Sequence, residues 1–535
     1  MDFPLTLAAI FRRAEALSPE REIVTRLPDK TIHRYRYRDF AQRTRRLVRA
    51  LRDLGVRPGD RVATLAWNHY QHLEAYFAAP LAGGVLHTLN LRLHPEELAY
   101  IINHAGDRAV IVDRSLLPLY ERIRPLVSVP TTIVMGDQGA APEGGGTLDY
   151  EALLARTDPA TDLVDPPEQT AAALCYTTGT TGQPKGVLYS HRSLVLHTLG
   201  ISLADVMGLS ERDTIMPVVP MFHANAWGLP YAAVMIGSKL VMPGPHLDPA
   251  SLADLFQREH VTITAGVPTI WMGLLQLLDA SPGAYDLSSI RLMLVGGSAV
   301  PQAMIEAFET RHRLRIVQGW GMTEMSPLGT LSHVPYTMVD APPGEQYRQR
   351  AKQGRPVPFV ELRARNEDGL VPNDGTTMGE LETRGPWIAA SYFKRDDCGE
   401  RFTEDGWFKT GDIVTIDERG TIEVQDRSKD LIKSGGEWIS SIALENALMG
   451  HPAVAEAAVI AIPDMKWSER PLAAVVLKAG ACATPGDLRA FLAPRFPKFW
   501  LPDAFEFIDA IPRTSAGKFQ KAALRERFRD RRAAE

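Results

Sequence analysis

The segment Tyr176-Thr-Thr-Gly-Thr-Thr-Gly-Gln-Pro-Lys-Gly-Val187 carries the strongest chemical pattern in the chain. Gly179, Gly182 and Gly186 let backbone N–H groups come close to an anion. Thr177, Thr178, Thr180 and Thr181 add hydroxyl donors, one of which can also bind magnesium, and Lys185 adds a point charge. An apolar run, Ala171–Cys175, places this loop at the end of a strand. The loop is not of the Walker type, Gly-x4-Gly-Lys-Ser/Thr: Gly179 and Gly182 are three apart and no glycine directly precedes Lys185. A lone Gly/Thr turn is usually solvated surface. The density of both residue types, with a lysine among them, favours a polyphosphate cradle instead.

Other segments offer complementary chemistry. Gly319-Trp-Gly-Met-Thr-Glu324 follows a short run, Arg315–Gln318, that reads as a strand. Trp320 can lie against a purine face. Thr323 can donate to a phosphate, and Glu324 can hold magnesium. Alone, these residues would equally form a strand-end turn with a packed Trp. Asp412, after Thr410-Gly411, can accept from both ribose hydroxyls, although an Asp in a turn commonly satisfies local N–H groups. Lys518 ends the small-residue stretch Thr514-Ser-Ala-Gly, where a lysine is ordinarily solvated. His223 lies between an apolar run, Thr214–Val219, and an apolar helix, the usual setting of a structural His. His69 and His72 have no companion ligand set and read as structural or surface residues.

These residues need a scaffold. From about Arg61 to Gln318 short apolar runs alternate with helical patterns. Arg61–Ala66, Ala109–Val112, Thr131–Met135, Lys239–Met242, Val261–Ala265 and Arg291–Val295 read as strands. Pro95–His104, Pro249–His260 and Pro301–His312 read as helices. The alternation predicts α/β architecture, parallel sheets covered by helices. Between Val360 and Arg427 come alternating segments with turns such as Glu404-Asp-Gly406, which predict antiparallel hairpins and a small β-barrel. Beyond Asp426 the pattern is mixed: helices at Ala443–Met449 and Pro485–Pro494, strands at Val454–Ile462, Leu472–Leu477 and Ala504–Ile508. A boundary near Asp426–Lys429 leaves a C-terminal α+β domain of ordinary size. Gly139–Gly146 reads as a surface loop.

The bulk properties set limits. A chain of 535 residues holds two or more compact units. It is 45% hydrophobic and 23% charged, with a net charge of −5, so nothing points to nucleic-acid binding. Cys175, Cys398 and Cys482 are far apart and imply neither a metal site nor a disulfide framework. The N-terminal apolar run is too short to span a membrane, and its positive charges follow it rather than precede it. A cytoplasmic protein with at most peripheral membrane contact is expected.

Tyr176–Val187 closely resembles the signature of the adenylate-forming enzymes, which include acyl-CoA synthetases, luciferases and peptide-synthetase adenylation domains. Further motifs similar to that family's follow in order along nearly the whole chain: Val295-Gly-Gly-Ser298, Gly319–Glu324, Thr410-Gly-Asp412, Asp426-Arg-Ser-Lys-Asp430, Lys433-Ser-Gly-Gly-Glu437 and Arg513-Thr-Ser-Ala-Gly-Lys518. Pro220-Met-Phe-His-Ala-Asn-Ala-Trp227 and Gly436-Glu-Trp-Ile-Ser440 resemble the medium- and long-chain fatty-acyl-CoA synthetase branch.

The resemblance implies two domains, 1–426 for nucleotide and acyl binding and 427–535 as a mobile domain. It implies ATP and CoA as co-substrates, magnesium on Thr177 and Glu324, and a homodimer. Lys518 would stabilise charge during adenylation. Thr177 to Gly182 with Lys185, Gly297 and Ser298, and Gly319 through Glu324, including Gly321 and Met322, would contact the nucleotide. Asp412 and Arg427 would hold the ribose, Lys429 would be the hinge, and Lys433 and Trp438 would lie at the nucleotide. His223 and Ala224 would face the acyl carboxylate, Trp227 would gate an acyl tunnel, and Gly435-Gly436 would pass the pantetheine arm. Where this chain has Trp320 the family more often has Tyr, so a phenol hydroxyl contact is lost. A peptide-synthetase adenylation domain would need an acid for the substrate ammonium within Phe222-His-Ala-Asn225, and none is there. Methylthiopropanoate, short-chain and aryl-acid ligases share much of the pattern.

Overall fold

The computed structural model describes residues 2–136, 146–163, 165–177, 183–395, 400–435, 437–514, 518–529 and 531. The chain separates into two compact units. One comprises Met1–Leu294, Gly321–Gly329 and Gly385–Glu400; the other comprises Val295–Trp320, Thr330–Arg384 and Arg401–Glu535.

The first unit holds the expected parallel sheets. One has the order Thr147–Asp149, Thr131–Met135, Asp107–Asp113, Arg61–Leu65, Val85–Thr88, Ala171–Tyr176 and Gly186–Ser190. All its neighbours run parallel except the final pair. In the other, Ile263–Gly266, Thr214–Pro217, Lys239–Met242 and Glu22–Arg26 are parallel, and Ile32–Arg36 joins the last antiparallel. Most of these strands are buried on both faces, as continuous apolar runs require.

The helices begin where local chemistry dictates. Pro95–Ala105 starts with proline at its first turn and a capping box in which Glu97 accepts from the His94 N–H. Pro249–Glu259 is capped by Asp248, whose carboxylate accepts from Ser251 N–H at 2.9 Å. The helix expected at Pro301–His312 begins one residue later, because Pro301 is its cap. His260, expected within a helix, is the cap that ends one, with φ of +51°.

In the second unit the hairpins after Val360 form a five-stranded antiparallel sheet in the order Gly369–Leu370, Glu361–Asn366, Gly379–Arg384, Phe408–Ile416 and Ile422–Arg427. Further along, Val454–Asp464 and Ser468–Leu477 form a long hairpin, and Ala504–Phe507 runs parallel to the second strand. Both faces of this hairpin are packed. Leu444, Leu448, Val459, Val475 and Leu488 lie on one side; Ile460, Leu472, Leu524 and Phe528 lie on the other. That gives the C-terminal segment a core of its own.

Candidate active site

In the first unit, strands Ala171–Tyr176 and Gly186–Ser190 pair antiparallel and carry the Gly/Thr loop at their tip. Thr177 closes the base of the loop: its N–H donates to Lys185 O at 2.9 Å, and Lys185 N–H donates to Thr177 Oγ1 at 3.3 Å. Thr178, Gly179, Thr180, Thr181 and Gly182 lie outside the described residues. Tyr176 is anchored beneath by a 2.6 Å hydrogen bond to His104 Nδ1.

The motif Gly319–Glu324 does not simply follow a strand. The strand runs Ile316–Gly321, so Gly319-Trp-Gly321 are strand residues, and Thr323–Met325 form the turn that carries the motif's end. Gly321 is obligatory, because a Cβ there would lie 1.9 Å from Pro327 O. Glu324 is buried, and its Oε1 accepts from Tyr392 Oη–H at 2.6 Å. Among the described residues no ion pair involves Glu324. Lys185 Nζ sits 4.9 Å from the centre of the ring of the same Tyr392. Tyr189 Oη–H donates to Thr323 O at 2.6 Å, and Ala389 N–H to Glu324 O at 2.7 Å, so the turn is held from both sides. Tyr392 and Tyr189 were not identified from sequence. Tyr189 lies two residues beyond the loop motif, but Tyr392 has no motif of its own.

His223 begins an unusual turn. Ala224, Asn225, Ala226 and Trp227 have φ of 35°, 44°, 52° and 56°, a left-handed stretch completed by Gly228. Each non-glycine residue there costs about 1–2 kcal/mol, so the surroundings must impose the turn. Asn225 is fully buried. Its Oδ1 accepts from the Cys175 thiol at 3.0 Å, and its amide donates to Tyr231 Oη at 3.3 Å. Trp227 is buried at the end of the turn.

In the second unit, Gly297 has φ of 92° and Ser298 is exposed just beyond strand Leu292–Val295. Asp412 lies opposite Arg427 in the antiparallel sheet. Arg427 Nε reaches Asp412 Oδ1 at 2.6 Å, and Trp320 Nε1–H donates to Asp412 Oδ2 at 2.9 Å. The indole thus supplies a polar contact where the loss of a phenol hydroxyl was expected. Asp412 is 3% exposed. Gly411 has φ of 76°, the left-handed region that glycine tolerates best.

Lys433 and Trp438 face each other across strands Ile432–Ser434 and Glu437–Ile439, and Lys429 lies in the exposed turn before them. Gly435 has φ of 59°, and a Cβ there would lie 2.5 Å from Trp467 Cε3, so Trp467 packs directly on this glycine. Gly436 lies outside the described residues. Lys518 and Thr514 close a turn: Thr514 N–H donates to Lys518 O at 2.8 Å, and Lys518 N–H to Thr514 Oγ1 at 3.2 Å. Three residues on, half-buried Lys521 pairs with Glu445 at 2.7 Å and approaches Asp426 at 4.0 Å. That ties the helix after Lys518 to the end of strand Ile422–Arg427.

His72 and His69 are structural, as expected. His72 is buried between Trp67 O and Thr64 Oγ1 and is held neutral, and His69 meets Asp113 at 3.1 Å. Among the described residues no group of three or more His, Cys, Asp or Glu side chains could hold a metal, and no helix is long and apolar enough to cross a membrane.

A carboxylate held by a neutral hydroxyl and a carboxylate held by a guanidinium are groups suited to nucleotide chemistry. Residues 11–393 match the AMP-binding enzyme family and residues 443–518 the AMP-binding enzyme C-terminal domain; the chain belongs to the AMP-binding enzymes. It is 51% identical to a long-chain-fatty-acid–CoA ligase of Thermus thermophilus, over 99% of this chain and 97% of that protein. It is 46% identical to a 3-methylmercaptopropionyl-CoA ligase of Ruegeria pomeroyi, over 98% of each. Among solved structures, an anthranilate CoA ligase in complex with anthranoyl-AMP superposes with a TM-score of 0.87 at 26% identity, covering 98% of both chains.

Proposed function

We propose that this enzyme is an AMP-forming acid–thiol ligase. It would convert a medium- to long-chain fatty acid and ATP to acyl-AMP and pyrophosphate, then transfer the acyl group to CoA with release of AMP. The observation that carries this reading is the end-to-end similarity to the Thermus ligase.

A carboxylate is a poor acyl donor, because its leaving group would be oxide. Attack of its oxygen on the α-phosphorus breaks the bond to pyrophosphate and gives a mixed anhydride that a thiol can displace. The loop from Thr177 to Lys185 would cradle the phosphates, with Gly297, Ser298 and Thr323 nearby, and Lys518 would stabilise charge on the transferring group. Asp412 and Arg427 would bind the ribose, and Trp320 the adenine. His223 and Ala224 would orient the acyl carboxylate, with Trp227 as gate to an apolar tunnel. Lys433 and Trp438 would flank the nucleotide, and Gly435-Gly436 would pass the pantetheine arm. Residues 427–535 would turn as a domain about Lys429, carrying Lys518 away before thioester formation.

Thr177 and Glu324 fit magnesium. Both offer hard oxygen, and the Glu324 carboxylate is held by the neutral Tyr392 hydroxyl, with no ion pair among the described residues. When bound, magnesium would supply charge neutralisation at the phosphates. A homodimer in the cytoplasm completes the reading.

A second reading, a ligase for a short thioether acid, is favoured by the 46% identity to the Ruegeria ligase. A panel of straight-chain, methylthio and aryl acids, with AMP, ADP and thioester all measured, separates them. AMP and thioester, greatest with acids of medium length or longer, are expected. An optimum at about four carbons or fewer, too short to gather the gain of about 0.8 kcal/mol per methylene, favours the second reading. ADP as product refutes both.

A further inference from the structure

Trp320 and Asp412 meet ring edge to carboxylate, 92 positions apart in sequence. The indole N–H donates to Oδ2 at 2.9 Å while Arg427 reaches Oδ1 at 2.6 Å. Trp320 is 9% exposed and Asp412 3%, so both contacts lie in poorly solvated surroundings, where hydrogen bonds to charge are strong. Each carboxylate oxygen offers about two acceptor sites. With one on each already filled, one remains on each, a pair matching two adjacent hydroxyls. The backbone of Asp412 is fixed as well: its N–H donates to Thr410 Oγ1 at 3.1 Å, and Thr410 Oγ1–H donates to Leu381 O at 2.8 Å. The carboxylate's rotation is then set at its two oxygens, and Trp320 holds one of them.

We propose that Trp320 is a positioning residue for the nucleotide sugar. Its N–H sets the rotation of Asp412 so that the free acceptor sites meet a 2′,3′-diol, and it thereby makes preference for a ribonucleotide depend on the indole edge as well as its face. The proposal rests on the reading of Asp412 as the ribose acceptor.

The test compares ATP with 2′,3′-dideoxy-ATP. Trp320→Phe keeps a flat ring and removes the donor. KM for ATP should rise about tenfold, the effect of losing a hydrogen bond to a charged group, with kcat changed less than about twofold. KM for the dideoxy nucleotide should change less than about twofold, because it has no diol to misalign. In an Asp412→Ala background the Phe substitution should add almost nothing with ATP. Trp320→Leu, an apolar side chain with no donor, is the second variant and should show the same nucleotide dependence. An equal rise for both nucleotides, or full additivity over Asp412→Ala, overturns the proposal, since Trp320 would then act through its face or its packing. Wild-type protein that forms no AMP from ATP refutes the ribose reading, and the proposal with it.

Discussion

Two buried carboxylates, one in each unit, are held in opposite ways. Glu324 accepts from a neutral phenol, Tyr392, and no ion pair among the described residues compensates its charge. Asp412 is met by a guanidinium on one oxygen and an indole N–H on the other. Burying a charge is costly unless something answers it. Asp412 is already answered within the protein, which leaves it suited to neutral donors such as hydroxyls. Glu324 is polarised and oriented but still seeks positive charge, which suits it to a cation. The residue type is nearly the same; the partners decide what each carboxylate can bind.

The largest effects should come from the uncompensated side. Glu324→Gln removes the charge but keeps the shape. Acyl-AMP formation should fall by about two orders of magnitude or more, as when a main electrostatic stabiliser is lost, and the magnesium concentration giving half-maximal rate should rise. Lys518→Ala should lose a similar factor in adenylation while leaving the magnesium dependence unchanged, and should barely affect thioester formation from supplied acyl-AMP. If Glu324→Gln leaves the magnesium titration where it was, Glu324 is not the carboxylate that meets the cation.

Asp412→Asn should act more mildly, with KM for ATP rising roughly tenfold and the magnesium titration unmoved. A shifted titration would mean that the two carboxylates do not divide their labour. Tyr392→Phe should come next: losing one hydrogen bond to Glu324, it should weaken apparent magnesium affinity roughly fivefold and leave KM for the acid alone. Both are read from initial rates over magnesium and ATP grids.

Much of this contrast was legible in the sequence, but only from one side. Glu324, Asp412, Thr177 and Lys518 stand in short local motifs whose ordered set resembles one family, and that resemblance, more than each residue's own setting, marked them. Thr131–Met135 and Lys239–Met242 fell where their apolar runs placed them, because buried parallel strands carry their own signal. The partners were not legible. Tyr392 reaches Glu324 from 68 positions away, and Trp320 reaches Asp412 from 92. Nothing local marks a residue that acts by long-range contact. The left-handed turn Ala224–Trp227 was also hidden, since Ala and Trp carry no preference for positive φ and the turn is imposed through buried Asn225. Strand Ile32–Arg36 escaped because its residues are largely polar and mostly not buried.

The smallest expected effect extends the contrast from the sites to two helices, through pH. In the first unit burial holds His72, His191 and His197 neutral, with pKa values near 3, 4 and 3 against an ordinary 6.5. The His191 and His197 rings serve as acceptors, from Leu7 N–H at 3.2 Å and Leu328 N–H at 3.3 Å. A base with a depressed folded pKa contributes stability that is full above 6.5 and is lost as pH falls toward the folded value. In the second unit burial outweighs the attraction of Lys521 and lifts Glu445 to about 7 from 4.5. An acid with a raised folded pKa contributes stability that is full below 4.5 and is lost as pH rises through about 7. The helices that carry these groups should therefore loosen on opposite sides of neutrality. Hydrogen exchange read peptide by peptide at about pH 5 and pH 8, corrected for intrinsic rates, is the direct measurement. Helix His191–Ser202 should be less protected at the lower pH, and helix Ser441–Met449, which carries Glu445, at the higher. Glu445→Gln should flatten the second response and leave the first intact. Loss of protection in both helices on the same side of neutrality would show that His191 and His197 do not oppose Glu445 as their surroundings dictate.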